Sequence, residues 1–305
     1  MIKIIIRRKL HHLFLPRAYL SFKKIVVMKK KIIAAFESDR FSPATLDYAI
    51  DLAKQSESLV VGVFLRAIPQ LGVGAMSGTG AEWGEALAFQ EWIKTEEEKL
   101  RVNKSLFHSI CANTGVQHKV LHESFSPVEQ LIHLSAFADI IILDTQASYT
   151  GFRTESPSPS LRDILADAHC PVIVVPSTFS PVRSICLTYD ASPASVFAIK
   201  MLHYLFPEWK GLPVSLVSVL KDSSNHLPEH ANIHDFMKRI FPQATPVILH
   251  GPVEDALLSY CKQLDEHTLL CMGAYSRSAM SRVFRESTAN RIMEEIRLPL
   301  FITHR

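Results

Sequence analysis

Long apolar runs are missing from this chain. Nowhere in its 305 residues is there an uninterrupted stretch of the roughly 18–20 apolar residues that a membrane span needs. Paired cysteines are missing too. Cys111, Cys170, Cys186, Cys261 and Cys271 are scattered, odd in number and form no C-x-x-C pair, which argues against disulfide or cysteine-metal frameworks and for a reduced, intracellular setting. Catalytic signatures are absent as well. The chain has no G-x-S-x-G elbow, no H-E-x-x-H and no P-loop lysine, and no other catalytic constellation stands in for them.

Acid is absent from the N-terminal stretch, where bases collect. Residues 1–27 hold seven bases (Lys3, Arg7, Arg8, Lys9, Arg17, Lys23, Lys24) and no Asp or Glu. The formal charge of +3 comes from them; the remainder carries 26 bases against 30 acids, a net −4. A nucleic-acid reading would therefore rest wholly on this leader. Its apolar stretches are short, and no small-residue cleavage site follows, so it does not read as a signal peptide. Met28, followed by Lys29-Lys30-Lys31 and the first strand, reads as the natural start, with 1–27 a basic extension that is disordered or a start set too early.

What is present is a pattern that occurs twice. Ile32-Ile33-Ala34-Ala35-Phe36-Glu37 followed by Ser42-Pro43-Ala44 returns as Ile185-Cys186-Leu187-Thr188-Tyr189-Asp190 followed by Ser192-Pro193-Ala194. The later pieces match in the same order: Ala138–Leu143 and Cys170–Val175 answer Thr268–Gly273 and Leu298–Ile302. A repeat of about 150 residues is a whole domain, not a solenoid unit. Pro176–Pro181 reads as the linker, which sets a first domain at 28–178 and a second at 179–305.

Each half alternates short Val/Ile/Leu runs with longer amphipathic segments, the signature of βαβ units around a parallel sheet covered on both faces. Strands are expected at 31–37, 59–66, 117–123, 139–144 and 171–175, then at 183–189, 214–220, 247–250, 268–272 and 300–304. Helices are expected from Ser42-Pro43, over 85–113, 127–137 and 160–168, and in the second half over 195–206, 233–240, 254–264 and 287–296. Ser192 is placed to cap the helix that follows it. Residues 68–84 and 144–160 resist structure, and both follow strands, where α/β sheets carry binding loops. The glycine-rich 72–80 lacks the G-x-G-x-x-G spacing and reads as a mobile loop. His226, His230 and His234 recur every four residues, but Pro228 breaks the register and no acid or Cys lies at ligand spacing. They read as surface histidines, and no metal is expected.

In this order and twice over, these residues resemble the universal stress protein family, in its tandem, two-copy form. The resemblance rests on Tyr189-Asp190-Ala191-Ser192-Pro193-Ala194-Ser195 after a first strand, on Met272-Gly273-Ala274-Tyr275-Ser276-Arg277-Ser278, and on Cys170–Val175, and it covers 28–305. It implies doubly wound, parallel five-stranded sheets of order 3-2-1-4-5, similar to the Rossmann-like adenine-nucleotide α-hydrolase folds. It also implies pairing through the fifth strands, so that the two copies form an intramolecular pseudo-dimer that can pair again as a homodimer.

Some members of that family bind ATP through a Gly-x2-Gly-x9-Gly-Ser/Thr loop after strand four, with an acid at the end of strand one. Carried onto this sequence, the resemblance gives a candidate ATP site in the second copy from Asp190, Gly273, Ser276, Arg277, Ser287 and Thr288. Ser276 stands at the second glycine and Glu286 at the third, and that carboxylate would repel phosphate; Arg277, Arg282 and Arg285 could offset it. In the first copy Glu37 stands for the acid, but Asp144 occupies the first glycine position, so no triphosphate is expected there. ATP with magnesium is the candidate cofactor, and none is firmly required.

The reading is a non-enzymatic, cytoplasmic stress-response protein acting through an unidentified protein partner, without nucleic acid or membrane. The alternative is an ATP-binding signalling module with slow ATP hydrolysis in the second copy. A third option works through the basic leader at a membrane or nucleic acid.

Overall fold

The computed structural model describes residues 29–66, 82–121, 127–149, 157–220, 224–273 and 288–303, with the side chains of 82–89 left aside. The leader, the glycine-rich run and much of the candidate phosphate loop thus lie outside the described residues.

Ten strands form one continuous sheet. In chain order they are β1 (Lys31–Glu37), β2 (Leu59–Leu65), β3 (Gln117–Leu121), β4 (Ile140–Asp144), β5 (Val172–Val175), β6 (Ser184–Thr188), β7 (Val214–Leu220), β8 (Thr245–His250), β9 (Thr268–Gly273) and β10 (Leu300–Thr303). Their spatial order is β3-β2-β1-β4-β5-β10-β9-β6-β7-β8. Each half keeps the expected 3-2-1-4-5 order and is parallel throughout. The two expected sheets are, however, fused. β5 and β10 pair antiparallel, with Leu300 opposite Val174, Phe301 opposite Ile173 and Ile302 opposite Val172. The physical reason is the one that motivates the pseudo-dimer: a fully apolar fifth strand left as an edge would expose unpaired N–H and C=O groups, and here each copy supplies the other's missing neighbour.

Among the described residues eight α-helices cover the sheet: α1 (Pro43–Ser56), α2 (Glu82–Thr114), α3 (Pro127–Ser135), α4 (Pro159–Asp167), α5 (Pro193–Leu205), α6 (His230–Ile240), α7 (Val253–Cys261) and α8 over 288–295. Alternation along the strands sends side chains to two layers. Ile32, Ala34 and Phe36 join α1, α2, α5 and α6 on one face, whereas Ile33 and Ala35 join α3, α4, α7 and α8 on the other. Both layers run through the β5–β10 seam, so the halves share one core.

The caps follow the sequence. Ser42, Ser158 and Ser192 each accept a hydrogen bond from the backbone N–H three residues on, and each precedes a proline at the first helical position. Gly115, at φ +73°, ends α2. Several boundaries differ from expectation by one to three residues, and two of them have a local cause. β8 begins at Thr245 and includes Pro246, which an edge strand tolerates because one side of its backbone has no partner. α6 begins at His230, because Glu229 in the left-handed region (φ 51°) turns the chain into the helix directly after Pro228.

The halves are also tied by polar contacts. Lys30 Nζ, fully buried, lies 2.9 Å from Glu208 Oε1 and 4.8 Å from the centre of the Phe206 ring. Trp209 Nε1 donates to Gln55 Oε1 at 2.8 Å, and Ser180 N donates to Tyr48 Oη at 3.3 Å. All five cysteines are free and buried. Burial pushes the thiols of Cys170, Cys186 and Cys261 up to about 12 and that of Cys111 to about 11, so none forms a thiolate near neutrality. They behave as small apolar residues, as the sequence suggests. Among the described residues no helix is long and apolar enough to cross a membrane.

Candidate functional site

In open α/β sheets the binding crevice lies beyond the carboxyl ends of the strands, where the strand order reverses. In the second half that point is β6, between β9 and β7. A small cleft of about 90 Å³ opens there, lined by Asp190 and Thr188 beyond and at the end of β6, Val217 and Val219 of β7, Met272 and Gly273 of β9, Ser195 of α5, Val253 and Leu257 of α7, and Thr288 of α8. The structure therefore brings together three of the residues singled out from the sequence: Asp190, Gly273 and Thr288. Ser276, Arg277 and Ser287 lie outside the described residues, as do Arg282, Arg285 and Glu286.

The turn after β6 shapes the polar side of the cleft. Ala191 takes a left-handed conformation at φ 61°, which a non-glycine residue adopts at a cost of about 1 kcal/mol or more. That bend lets Asp190 Oδ1 accept a hydrogen bond from Ser192 N at 3.0 Å, while Ser192 Oγ caps α5 through Ser195 N at 3.1 Å. The exposed Asp190 carboxylate and the positive end of the α5 dipole thus flank one opening. Thr188 Oγ1 turns inward and donates to the Cys271 carbonyl at 3.1 Å, tying β6 to β9 beneath the cleft.

Gly273 has a packing role that the sequence did not disclose. A Cβ at this position would overlap the carbonyl group of Ala194 and come within 2.7 Å of Ser195 N. Only a residue without a side chain lets the first turn of α5 rest on the end of β9. The apolar wall was also missed: Val217, Val219, Val253, Leu257 and Met272. Its only signal was position, since these residues lie along β7, at the end of β9 and on the helix after the Gly251-Pro252 turn.

The first half has the same frame and different contents. Glu37 is 8% exposed and its Oε1 accepts from Ser148 N at 3.0 Å. Asp144, 5% exposed, accepts from Gln146 N at 2.8 Å and lies 3.8 Å from the Arg40 guanidinium. Arg40 also lies 4.0 Å from Glu37 and donates to Gln146 Oε1 at 2.9 Å. Tyr149 is fully buried; burial, then the charges of Glu37 and Asp144, push its hydroxyl well above the usual tyrosine range. From α2, Glu96 accepts from Ser38 Oγ at 3.0 Å and Asn103 donates to the Ser38 carbonyl at 2.9 Å. The chain's own side chains hold the acid here.

No protein-family model and no curated protein matches the sequence. Solved structures do match the fold over nearly the whole chain. A universal stress protein from Archaeoglobus fulgidus superposes with a TM-score of 0.63 at 14% identity, covering 90% of this chain and 98% of its own. The chain has the tandem universal-stress-protein fold. Two Pseudomonas aeruginosa proteins share it: a candidate universal stress protein (TM-score 0.53, 14% identity, 92% of this chain and 94% of that one) and a protein of unknown function (TM-score 0.56, 11% identity, 92% and 94%). Coverage at this level by single chains of similar length means that the tandem fold, and not one copy of it, is what is shared.

Proposed function

We propose that this chain is a non-enzymatic stress-response protein of the cytoplasm, acting on a protein partner, and that its second half carries the ligand that governs that action: an adenine nucleotide, with magnesium. The observation that carries the reading is the cleft at the β6 switch point, where Asp190, Gly273 and Thr288 meet an apolar wall of purine-compatible character. Val217, Val219, Leu257 and Met272 would hold the base. Asp190 would accept hydrogen bonds from the nucleoside, and Ser195 and Thr288 offer hydroxyls at the α5 and α8 ends. The bound nucleotide supplies charge and a hydrolysable bond; the chain's own residues bind and orient it.

Calorimetric titration of the full chain with Mg-ATP, after removal of any co-purified nucleotide, tests this. Saturable binding in the micromolar range is expected, with loss in Asp190→Ala and little change in thermal stability. Phosphate release above the Asp190→Ala background would replace the non-enzymatic reading with slow hydrolysis. An absence of heat at millimolar Mg-ATP would sink the nucleotide reading and leave the protein partner as the function.

A further inference from the structure

The edge of the first half carries a pair of histidines that the nucleotide reading does not use. His118 of β3 and His108 of α2 approach with His118 Nε2 2.7 Å from His108 Nδ1, their rings 4.7 Å apart and tilted by 60°. His118 Nδ1 lies 2.9 Å from the Val116 carbonyl oxygen. A carbonyl only accepts, so Nδ1 carries the hydrogen and the neutral ring keeps its lone pair on Nε2, directed at His108. The ring is further held edge-to-face against the fully buried Phe107, 5.9 Å between centres. A histidine whose far N–H is fixed by a carbonyl is the usual outer arrangement of a metal-bound imidazole.

The gap between the two nitrogens is that of a hydrogen bond: a neutral His108 with its hydrogen on Nδ1 donates to His118 Nε2 across 2.7 Å. When His108 carries its hydrogen on Nε2 instead, both facing nitrogens hold lone pairs, and a metal ion can take the place of the shared proton. Metal–nitrogen bonds of about 2.0–2.1 Å place two ligand nitrogens about 2.9–3.4 Å apart between right and tetrahedral angles, so the rings must open by about half an ångström. The row His226, His230 and His234 holds more imidazoles but no such convergence. Its neighbouring rings are 5.4 and 5.9 Å apart, and the second pair stacks face to face at 11°.

We propose that His108 and His118 form a two-imidazole site for a divalent first-row transition metal of the nickel, copper or zinc class, which clasps α2 to the edge strand β3. Imidazole nitrogen selects these ions over magnesium and calcium, which prefer oxygen. Among the described residues no group of three or more His, Cys, Asp or Glu is arranged around an ion, so water completes the coordination and the metal exchanges. Lys104, one turn before His108 on α2, adds a like charge along the same helix face and keeps the affinity below that of a closed structural site. Occupancy would pin the long α2 across an otherwise open sheet edge.

The test is titration of the full chain with nickel chloride, copper sulfate and zinc chloride, read by calorimetry and by the metal-induced rise in Tm. One dominant equivalent is expected, with nitrogen hyperfine structure from two imidazoles in the copper spectrum and no response to magnesium chloride. Either His108→Gln or His118→Gln should weaken binding about tenfold or more and remove the Tm rise, because half of the ligand set is lost. Both side chains are at or near the surface, and His108→Gln on the exposed helix face keeps the test open if the strand variant folds poorly. The His230→Ala/His234→Ala double variant should bind unchanged. Unaltered affinity in both glutamine variants, or loss confined to the His230/His234 variant, would overturn the proposal.

Discussion

The two halves of this molecule share a frame and differ at the point where a ligand would sit. Both carry an acid at or just beyond the end of the first strand, both cap the next helix with Ser-Pro, and both place the fourth strand beside the first. In the second half the acid, Asp190, is exposed at the mouth of a cleft and the fourth strand ends in Gly273. In the first half the acid, Glu37, is buried against Ser148 N, and the fourth strand ends in Asp144, matched by Arg40. One residue therefore separates two designs. A glycine lets the helix that follows the first strand come down on the fourth strand and leaves room beyond it. An aspartate brings a carboxylate that must be satisfied, and an arginine and the 145–149 segment do so from within the chain. The repeated frame supplies two crevices; side-chain chemistry leaves one open and fills the other.

The sharpest way to break the comparison is to write the first half's residue into the second. Gly273→Asp should cost about 3 kcal/mol or more, because its Cβ alone meets backbone of α5. Urea unfolding would read the loss, and nucleotide binding should vanish with it. A cost under about 1 kcal/mol would show that α5 can withdraw, and that the glycine is not what shapes the cleft. A smaller effect is expected in the first half from Arg40→Ala, which leaves Glu37 and Asp144 buried with no guanidinium between them. Since Arg40 is itself 28% exposed and its ion-pair distances are 3.8 and 4.0 Å, solvent screening holds the cost to about 1–2 kcal/mol. Arg40→Ala should leave binding in the second half untouched; a coupled loss there would mean that the two crevices communicate through the shared sheet.

Much of this frame was legible in the sequence, and the reasons are local. Strand β1 spans 31–37 and β7 spans 214–220 as read, because continuous Val/Ile/Leu runs bounded by turn residues have no competing period. The pairing of β5 with β10 was legible from Val172–Val175 and Leu300–Thr303 being apolar on both sides, which no solvent-facing edge tolerates. The antiparallel sense and the register of that pairing, Leu300 opposite Val174, were not legible, since no local pattern encodes them. At the site, Asp190, Gly273 and Thr288 were legible through the family resemblance, carried over position by position. The apolar wall was not, because a valine at a strand end reads like any other core valine. Arg40 and Tyr149 were missed for a further reason: their role is to satisfy Glu37 and Asp144, and charge matching of that kind appears only when the fold brings residue 40 to residue 144.

Tyr149 offers the finest test of the difference. Its ring is fully enclosed, and its hydroxyl is buried with no hydrogen-bond partner among the described residues; burial, then the charges of Glu37 and Asp144, raise its titration. An unsatisfied buried hydroxyl is a net cost, because water is given up and nothing is gained. Tyr149→Phe keeps the ring and removes that cost, so it should stabilise the protein by about 1 kcal/mol, the opposite sign to most core substitutions. The measurement is the urea midpoint, with the slope unchanged. If the variant is instead destabilised by a similar amount, the hydroxyl is engaged in solution by Glu37, Asp144 or an enclosed water, and the first half's crevice is then a satisfied polar network. If it is stabilised, the crevice carries an unmet donor beside two carboxylates, and the first half has been closed less completely than its burial suggests.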